Sequence, residues 1–274
     1  VSTPTATCRV PRGDVELKDL AAAARAAIQR GEWASPAAVA LREVLGLDAL
    51  GPVARLCLAQ DGALADLPFA ALVAGPHGAL PVVRELVPGV PRLAAPTSSR
   101  VVSLADAAGD LPAARDEVGS EVAATRLRGP AVTRAALAHP GEVGLLHVAV
   151  HLRRDRGVPE LVLADGPIAP AEVEELSYEG HPIVLLSSCG SAARATESGV
   201  EWSFAHAFLR AGASAVIATR WPVLDHEFQH FVRALLAAWP FTDAAVATAA
   251  ACDELRRSGA HPRLWTALVV YTGP

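Results

Sequence analysis

The feature that most constrains this chain is a set of short, nearly continuous apolar runs separated by alanine-rich stretches. "VGLLHVAVH" (143–151), "HPIVLLSSC" (181–189) and "ASAVIATRW" (213–221) carry apolar side chains at odd and even positions alike. A strand sends alternate side chains to opposite faces of a sheet, so these runs need cover on both faces. Helical spacing is found between and around them, at 17–30, 36–45, 110–127, 169–176, 200–211, 226–238 and 243–257. Further strands are expected at 53–62, 100–109, 159–166 and 264–273, with a strand end and short helix in 63–75. Strands alternating with helices give an α/β fold whose sheet is mostly parallel and flanked by helices. Local chemistry agrees. Asp61-Gly62 is a turn signal, Gly212 ends the helix before it, and Pro170 suits the first turn of 169–176. Acids early and an arginine late suit the macrodipole of a helix over 110–127.

With 274 residues, 51% hydrophobic and 19% charged, the chain is expected to bury a sizeable core, as one large domain or two small ones. The Pro- and Ser-containing "GVPRLAAPTSSR" (89–100) is read as a boundary between a smaller N-terminal half, 1–98, and a half holding the chemistry, 99–274. No apolar stretch approaches the ~20 residues of a membrane span. "VSTPTATCRVPRGD" lacks the layout of a signal peptide. A net charge of −5 with scattered basic residues gives no nucleic-acid or membrane footprint. Cys8, Cys57, Cys189 and Cys252 form no CxxC pair, so neither a zinc site nor a disulfide framework is expected, and a reducing cytoplasm is the natural setting. There is no glycine-rich phosphate loop, and no cofactor or metal is expected. The abundance of Ala, Arg, Gly and Pro fits a GC-rich bacterial source. The absence of methionine, even at position 1, reads as a fragment or processed product of a longer protein, or as a removed start residue.

In open α/β sheets ligands bind at the carboxyl ends of the strands. One apolar run ends in His151 and another in Cys189, with a short strand and a helix between them. A right-handed crossover of that kind makes the two strands parallel and brings both tips to one edge. There the imidazole can take the thiol proton, and the thiolate is a strong nucleophile. The N–H groups of Cys189 and its neighbours can hold an oxyanion, and Gly190 permits a sharp turn. The plainer reading is that Cys189 is a small core residue and His151 a satisfied polar one. His147 falls on the face of His151 but deeper, which reads as structural. His181, His206, His226, His230 and His261 have no ligand spacing and are read as surface or packing residues.

Six segments, in order, resemble the CHAT domain, a branch of the caspase-like cysteine peptidases related to separase. They are "QDGALADLPFAAL" (60–72), "LPAARDEV" (111–118), "LLHVAVH" (145–151), "VLLSSCGSA" (184–192), "FLRAGASAVIATRWPVLD" (208–225) and "HPRLWTALVVYTG" (261–273). The resemblance implies a caspase-like α/β sandwich with an N-terminal pseudo-caspase-like half. It also implies peptide-bond cleavage through a Cys–His dyad, with His151 in the place of the catalytic histidine and Cys189 in that of the nucleophile. It makes Thr219, Trp221 and Asp225 candidates for the substrate pocket, although Trp221 also suits a core cap and Asp225 a helix cap. Asp155 and Glu197 are loop acids placed to meet a basic substrate residue. The implied partners are a protein substrate and a controlling sensor or helical-repeat module, in regulated proteolysis.

One departure stands out. Where the family has glycine after the histidine, contributing to the oxyanion hole, this chain has Leu152. Leucine keeps an N–H but resists positive φ and adds bulk. Three readings follow. The first is a cysteine endopeptidase with Leu152, Cys189 and Gly190 as oxyanion donors. The second is a weak or inactive pseudo-peptidase that binds partner proteins. The third is another hydrolase or acyl transferase using Cys189.

Overall fold

The computed structural model describes residues 14–50, 55–58, 64, 67–74, 82–87, 89–120, 122–188, 195–197 and 200–274. Two helices come first, α1 (Asp14–Gln29) and α2 (Pro36–Val44), the second capped by the Ser35 hydroxyl on the Ala38 N–H. They are followed by β1 (Arg55–Leu58), α3 (Phe69–Ala74), β2 (Val82–Leu86), β3 (Val101–Ala105), α4 (Pro112–Arg115), β4 (Ala124–Arg128), α5 (Arg134–Ala138) and β5 (Leu145–Ala149). A small antiparallel sheet, β6 (Leu152–Asp155), β7 (Val158–Leu163) and β8 (Gly166–Ile168), leads to α6 (Pro170–Glu174) and β9 (Ile183–Leu186). The hairpin β10 (Ala195–Glu197) and β11 (Val200–Trp202) precedes α7 (Phe204–Arg210), β12 (Ala215–Thr219), α8 (Asp225–Leu236), α9 (Ala244–Arg257), α10 (Pro262–Trp265) and β13 (Leu268–Thr272).

Among the described residues, eight strands form the main sheet in the order β1-β2-β13-β12-β9-β5-β3-β4. Every neighbouring pair is parallel except β12 with β13. The continuous apolar runs behave as their composition requires. Leu145, Ile183, Leu185 and Ile217 enter one core with α1, α2, α8 and α9. Leu146, Val148, Val184, Leu186, Val216 and Ala218 enter the other, with Leu137 of α5, Val173 of α6 and Phe204 and Phe208 of α7. Each buried Leu, Ile or Phe contributes about 1.5–3 kcal/mol, so the two-sided patterning holds the central strands in register. This is the expected α/β sandwich: a mostly parallel sheet between helical layers.

The structure departs from expectation in several places. The helix expected over 200–211 begins only at Phe204, after the hairpin β10–β11, and Asp155 and Glu197, expected on loops, end the strands β6 and β10. The helix expected over 110–127 is only α4, and the chain then turns and forms β4. Gly119 and Ser120 interrupt the helical pattern, and the Arg126 guanidinium donates to the carbonyls of Val118, Gly119 and Val122, groups a continued helix would have used itself. The strand expected at 53–62 is described only over β1, and it is an edge strand with Arg55 and Cys57 exposed rather than a buried one. The partly buried β2 (VVREL) was not anticipated; it sits between β1 and β13.

Candidate active site

The strands β3, β5, β9 and β12 run parallel, so their carboxyl ends share one edge of the sheet. His151 lies at this edge, two residues beyond β5, and its carbonyl accepts from the Val162 N–H at 2.9 Å. Its side chain is 43% exposed, and its Nε2 is 2.8 Å from Oδ1 of Asp110, itself 63% exposed. A carboxylate only accepts, so the bond needs a proton on Nε2, and in the neutral imidazole the basic nitrogen is then Nδ1.

Asp110 belongs to the loop leaving β3, and that loop is fastened from below by Asp106. Asp106 is fully buried, has φ +55, and donates its N–H to the Ala149 carbonyl at 2.8 Å. Its carboxylate accepts from the Leu111 N–H at 2.8 Å and from the Arg115 guanidinium. Burial alone would raise this carboxyl, but those donors outweigh it and hold it below the usual carboxylate range.

Beneath the edge is a second polar group. His147 of β5 is fully buried, with Nδ1 2.8 Å from the Ser103 hydroxyl and Nε2 2.7 Å from Oε2 of Glu117 and 2.9 Å from the Ser187 hydroxyl. Glu117 is 1% exposed, and desolvation pushes its carboxyl above the ordinary range despite the bond to His147. His147 thus ties β5 to β3 and to the end of β9, as its depth in the strand implied.

Cys189 and Gly190 lie outside the described residues; Ser188 is the last described residue before them. The Ser188 hydroxyl donates to the Val150 carbonyl at 2.7 Å, and its own carbonyl accepts from the Thr219 hydroxyl at 3.3 Å. Thr219 is 1% exposed. Trp221 is buried, and its indole N–H donates to the Arg263 carbonyl at 2.9 Å. Asp225 is the first residue of α8 and not its cap, which is Leu224; half-buried, it accepts from the Ala113 N–H at 3.1 Å, which links that helix to the Asp110 loop. Asp155 is exposed at the end of β6. Glu197 ends β10, and its side chain lies outside the described residues. Leu152 begins β6 opposite Leu161 and packs, half-buried, against the core that holds Leu161. It is absent from the positive-φ residues, so the strain expected of a leucine in a glycine turn does not arise.

Sequence reading gave no role to Asp110, Asp106, Ser188 or Glu117. The available signal for Asp110 was its position, an acid between the end of β3 and Pro112, since β3 is the strand that neighbours the histidine strand. Among the described residues, no three His, Cys, Asp or Glu side chains converge as a metal would require, and no helix is long and apolar enough to cross a membrane.

The sequence profile of the CHAT domain family matches residues 35–273. Among solved structures, the complex of the pro- and mature domains of RgpB from Porphyromonas gingivalis superposes with a TM-score of 0.56 at 11% identity, over 95% of this chain and 76% of that one. Separase of Saccharomyces cerevisiae, in its complex with securin, gives 0.55 at 13% identity, over 86% of this chain and 17% of that one. A further protease structure gives 0.54 at 11% identity, over 75% of this chain and 57% of that one. The chain therefore spans only part of these proteins. At such identities the likeness is one of fold, that of caspase-like cysteine proteases. No curated protein sequence matches the chain.

Proposed function

The chain belongs to the CHAT domain family, and we propose that it is a cysteine endopeptidase cutting protein substrates through Cys189 and His151. The observation that carries this reading is the parallel pairing of β5 and β9, in register from Leu145 opposite Ile183 to Val148 opposite Leu186. His151 follows the first strand at its carboxyl edge, and in the sequence Cys189 comes directly after Ser188, the last described residue beyond the second.

In this mechanism Nδ1 of His151 takes the Cys189 proton, while Asp110 holds Nε2–H and with it the ring's tautomer and direction. The thiolate attacks the peptide carbonyl, and the N–H groups of Leu152, Cys189 and Gly190 receive the oxyanion. The imidazolium gives its proton to the departing amine, leaving a thioester. Water, activated by the same imidazole, hydrolyses the thioester and restores the thiol. Asp225, Asp155 and Glu197 are proposed to face the substrate and to favour a basic residue, while Thr219 and the buried Trp221 act from behind the pocket wall. A sensor or helical-repeat module is the proposed controller and the cytoplasm the proposed setting. The pseudo-peptidase alternative drew on Leu152, and a strand residue free of left-handed strain weakens its steric argument.

The test is cleavage of a proteome-derived peptide library, reading new N-termini by mass spectrometry. The proposal expects cuts sharing a residue preference that vanish in Cys189→Ala and His151→Ala. Cuts that persist in Cys189→Ala, or none above its background, would sink it.

A further inference from the structure

Among the described residues, the links between the two strand tips include a side-chain hydrogen bond. The pairing of β5 with β9 ends at Val148 opposite Leu186, and one more backbone bond, from the Ser187 N–H to the Val148 carbonyl at 2.9 Å, extends it. Beyond it, among the described residues, the strands are joined by a hydroxyl: Ser188 Oγ donates to the Val150 carbonyl at 2.7 Å. From the opposite neighbour, at the end of β12, the Thr219 hydroxyl donates to the Ser188 carbonyl at 3.3 Å. Ser188, Thr219 and Val150 are each 1% exposed.

The sequence gives these bonds their significance. Val150 immediately precedes His151, and Ser188 immediately precedes Cys189. Successive Cα atoms are about 3.8 Å apart, so a bond between the two preceding residues acts one peptide unit away from each reacting residue. A backbone ladder bond would hold the strands together but would leave the tips beyond it to splay. The Ser188 bond lies at the tips themselves, is shielded from water, and is braced by a third strand.

We propose that Ser188 is a positioning residue of this site: its hydroxyl, braced by Thr219, sets the distance and aim of Cys189 relative to His151. The inference rests on the peptidase reading above. It adds that productive alignment depends on this buried side-chain bond between the ends of β5 and β9. Reacting atoms need a separation near 3–3.5 Å, and a displacement of about 1 Å costs on the order of 10²-fold in rate. Loss of the bond therefore acts on the cooperation of the pair rather than on the thiol alone.

The experiment is a double-mutant cycle read by alkylation of Cys189 with iodoacetamide at neutral pH, followed on the Cys189 peptide by mass spectrometry. Rates are taken for the native chain, His151→Ala, Ser188→Ala and the double variant, with thermal unfolding recorded for each. In the native background His151→Ala is expected to slow alkylation on the order of 10²-fold, as for loss of a general base. In the Ser188→Ala background the same change is expected to slow it by less than about tenfold, because the pair is already misaligned. Thr219→Val, nearly isosteric, gives the same collapse in milder form, and Thr219→Ser restores the native dependence; this pair carries the test where Ser188→Ala does not fold. A purely structural role lowers the unfolding temperature and leaves the His151 dependence intact, and that result would overturn the inference. A His151→Ala change without effect in the native background would instead overturn the peptidase reading itself.

Discussion

Replacing Glu117 by glutamine turns the buried carboxyl beneath the site into a group that cannot ionise. Glu117 is 1% exposed, 2.7 Å from His147 Nε2, and its carboxyl is raised above the ordinary 4.5, first by desolvation. While it keeps its proton, the neutral acid donates to Nε2, and Nδ1–H of His147 donates to the Ser103 hydroxyl at 2.8 Å. The sign of the pH dependence follows from the raised value. Between 4.5 and the folded value the native chain holds a proton that the unfolded chain has released. Its contribution to stability is therefore complete below 4.5 and is lost as pH rises through the folded value, with a slope of up to about 1.4 kcal/mol per pH unit. In Glu117→Gln the side-chain amide donates to the same nitrogen and never ionises. The substitution is expected to cost at most about 1 kcal/mol near pH 4.5, with the difference moving in favour of glutamine as pH rises. Glu117→Ala leaves a buried acceptor unmet and is expected to cost about 1–3 kcal/mol plus a cavity contribution at every pH. Urea unfolding of all three proteins from pH 4.5 to 8 measures this. Parallel curves for the native chain and Glu117→Gln, or a loss of about 3–5 kcal/mol in the glutamine variant throughout, would refute the reasoning. They would mean an ionised Glu117 paired with a buried imidazolium.

Asp110→Ala is expected to lower kcat about 10–10²-fold through misdirection of His151, with Asp110→Asn partly restoring it. Asp110 is exposed and His151 nearly half-exposed, so the unfolding free energy moves by no more than about 1 kcal/mol; a large stability loss would contradict the assigned role. Asp106→Asn keeps a residue tolerant of φ +55 but removes the carboxylate that gathers Leu111 and Arg115. It is expected to cost about 1.5–3 kcal/mol at pH 7. Because the Asp106 value is depressed below 3.8, this difference is present above 3.8 and shrinks as pH falls through the folded value, which acid titration of both proteins measures. Gly144→Ala would place a Cβ 1.9 Å from the Ser98 carbonyl oxygen, so the entry to β5 must shift. A loss of about 1–3 kcal/mol or more in denaturant unfolding is expected, and an unchanged midpoint would contradict the packing there.

The central sheet was legible because its strands are buried on both faces, which forces continuous apolar runs such as "LLHVAV" and "IVLL" that no amphipathic helix carries. Its rim was harder to read. "VVREL" of β2 and "ATRLR" of β4 mix charge with apolar residues because they lie near or at the sheet's ends, and β4 hid inside a pattern that suited a helix. At the site, His151 could be placed because it terminates a recognisable strand. Asp110 could not, since its role depends on a loop shape that Asp106 imposes through contacts with Leu111 and Arg115. Ser188 reads in sequence as one more small residue before Cys189; only the pairing of β5 with β9 sets its hydroxyl against the Val150 carbonyl.

The most direct test of the account is covalent labelling by a peptidyl acyloxymethyl ketone, read by intact mass in a Cys8→Ser, Cys57→Ser background. That background removes the exposed Cys57 thiol, while Cys252 is buried with its thiol pushed up to about 12. The account expects a single adduct, abolished by Cys189→Ala and slowed on the order of 10²-fold by His151→Ala. No adduct, or labelling of Cys189 at a rate indifferent to His151, would contradict a thiol–imidazole pair at this edge of the sheet.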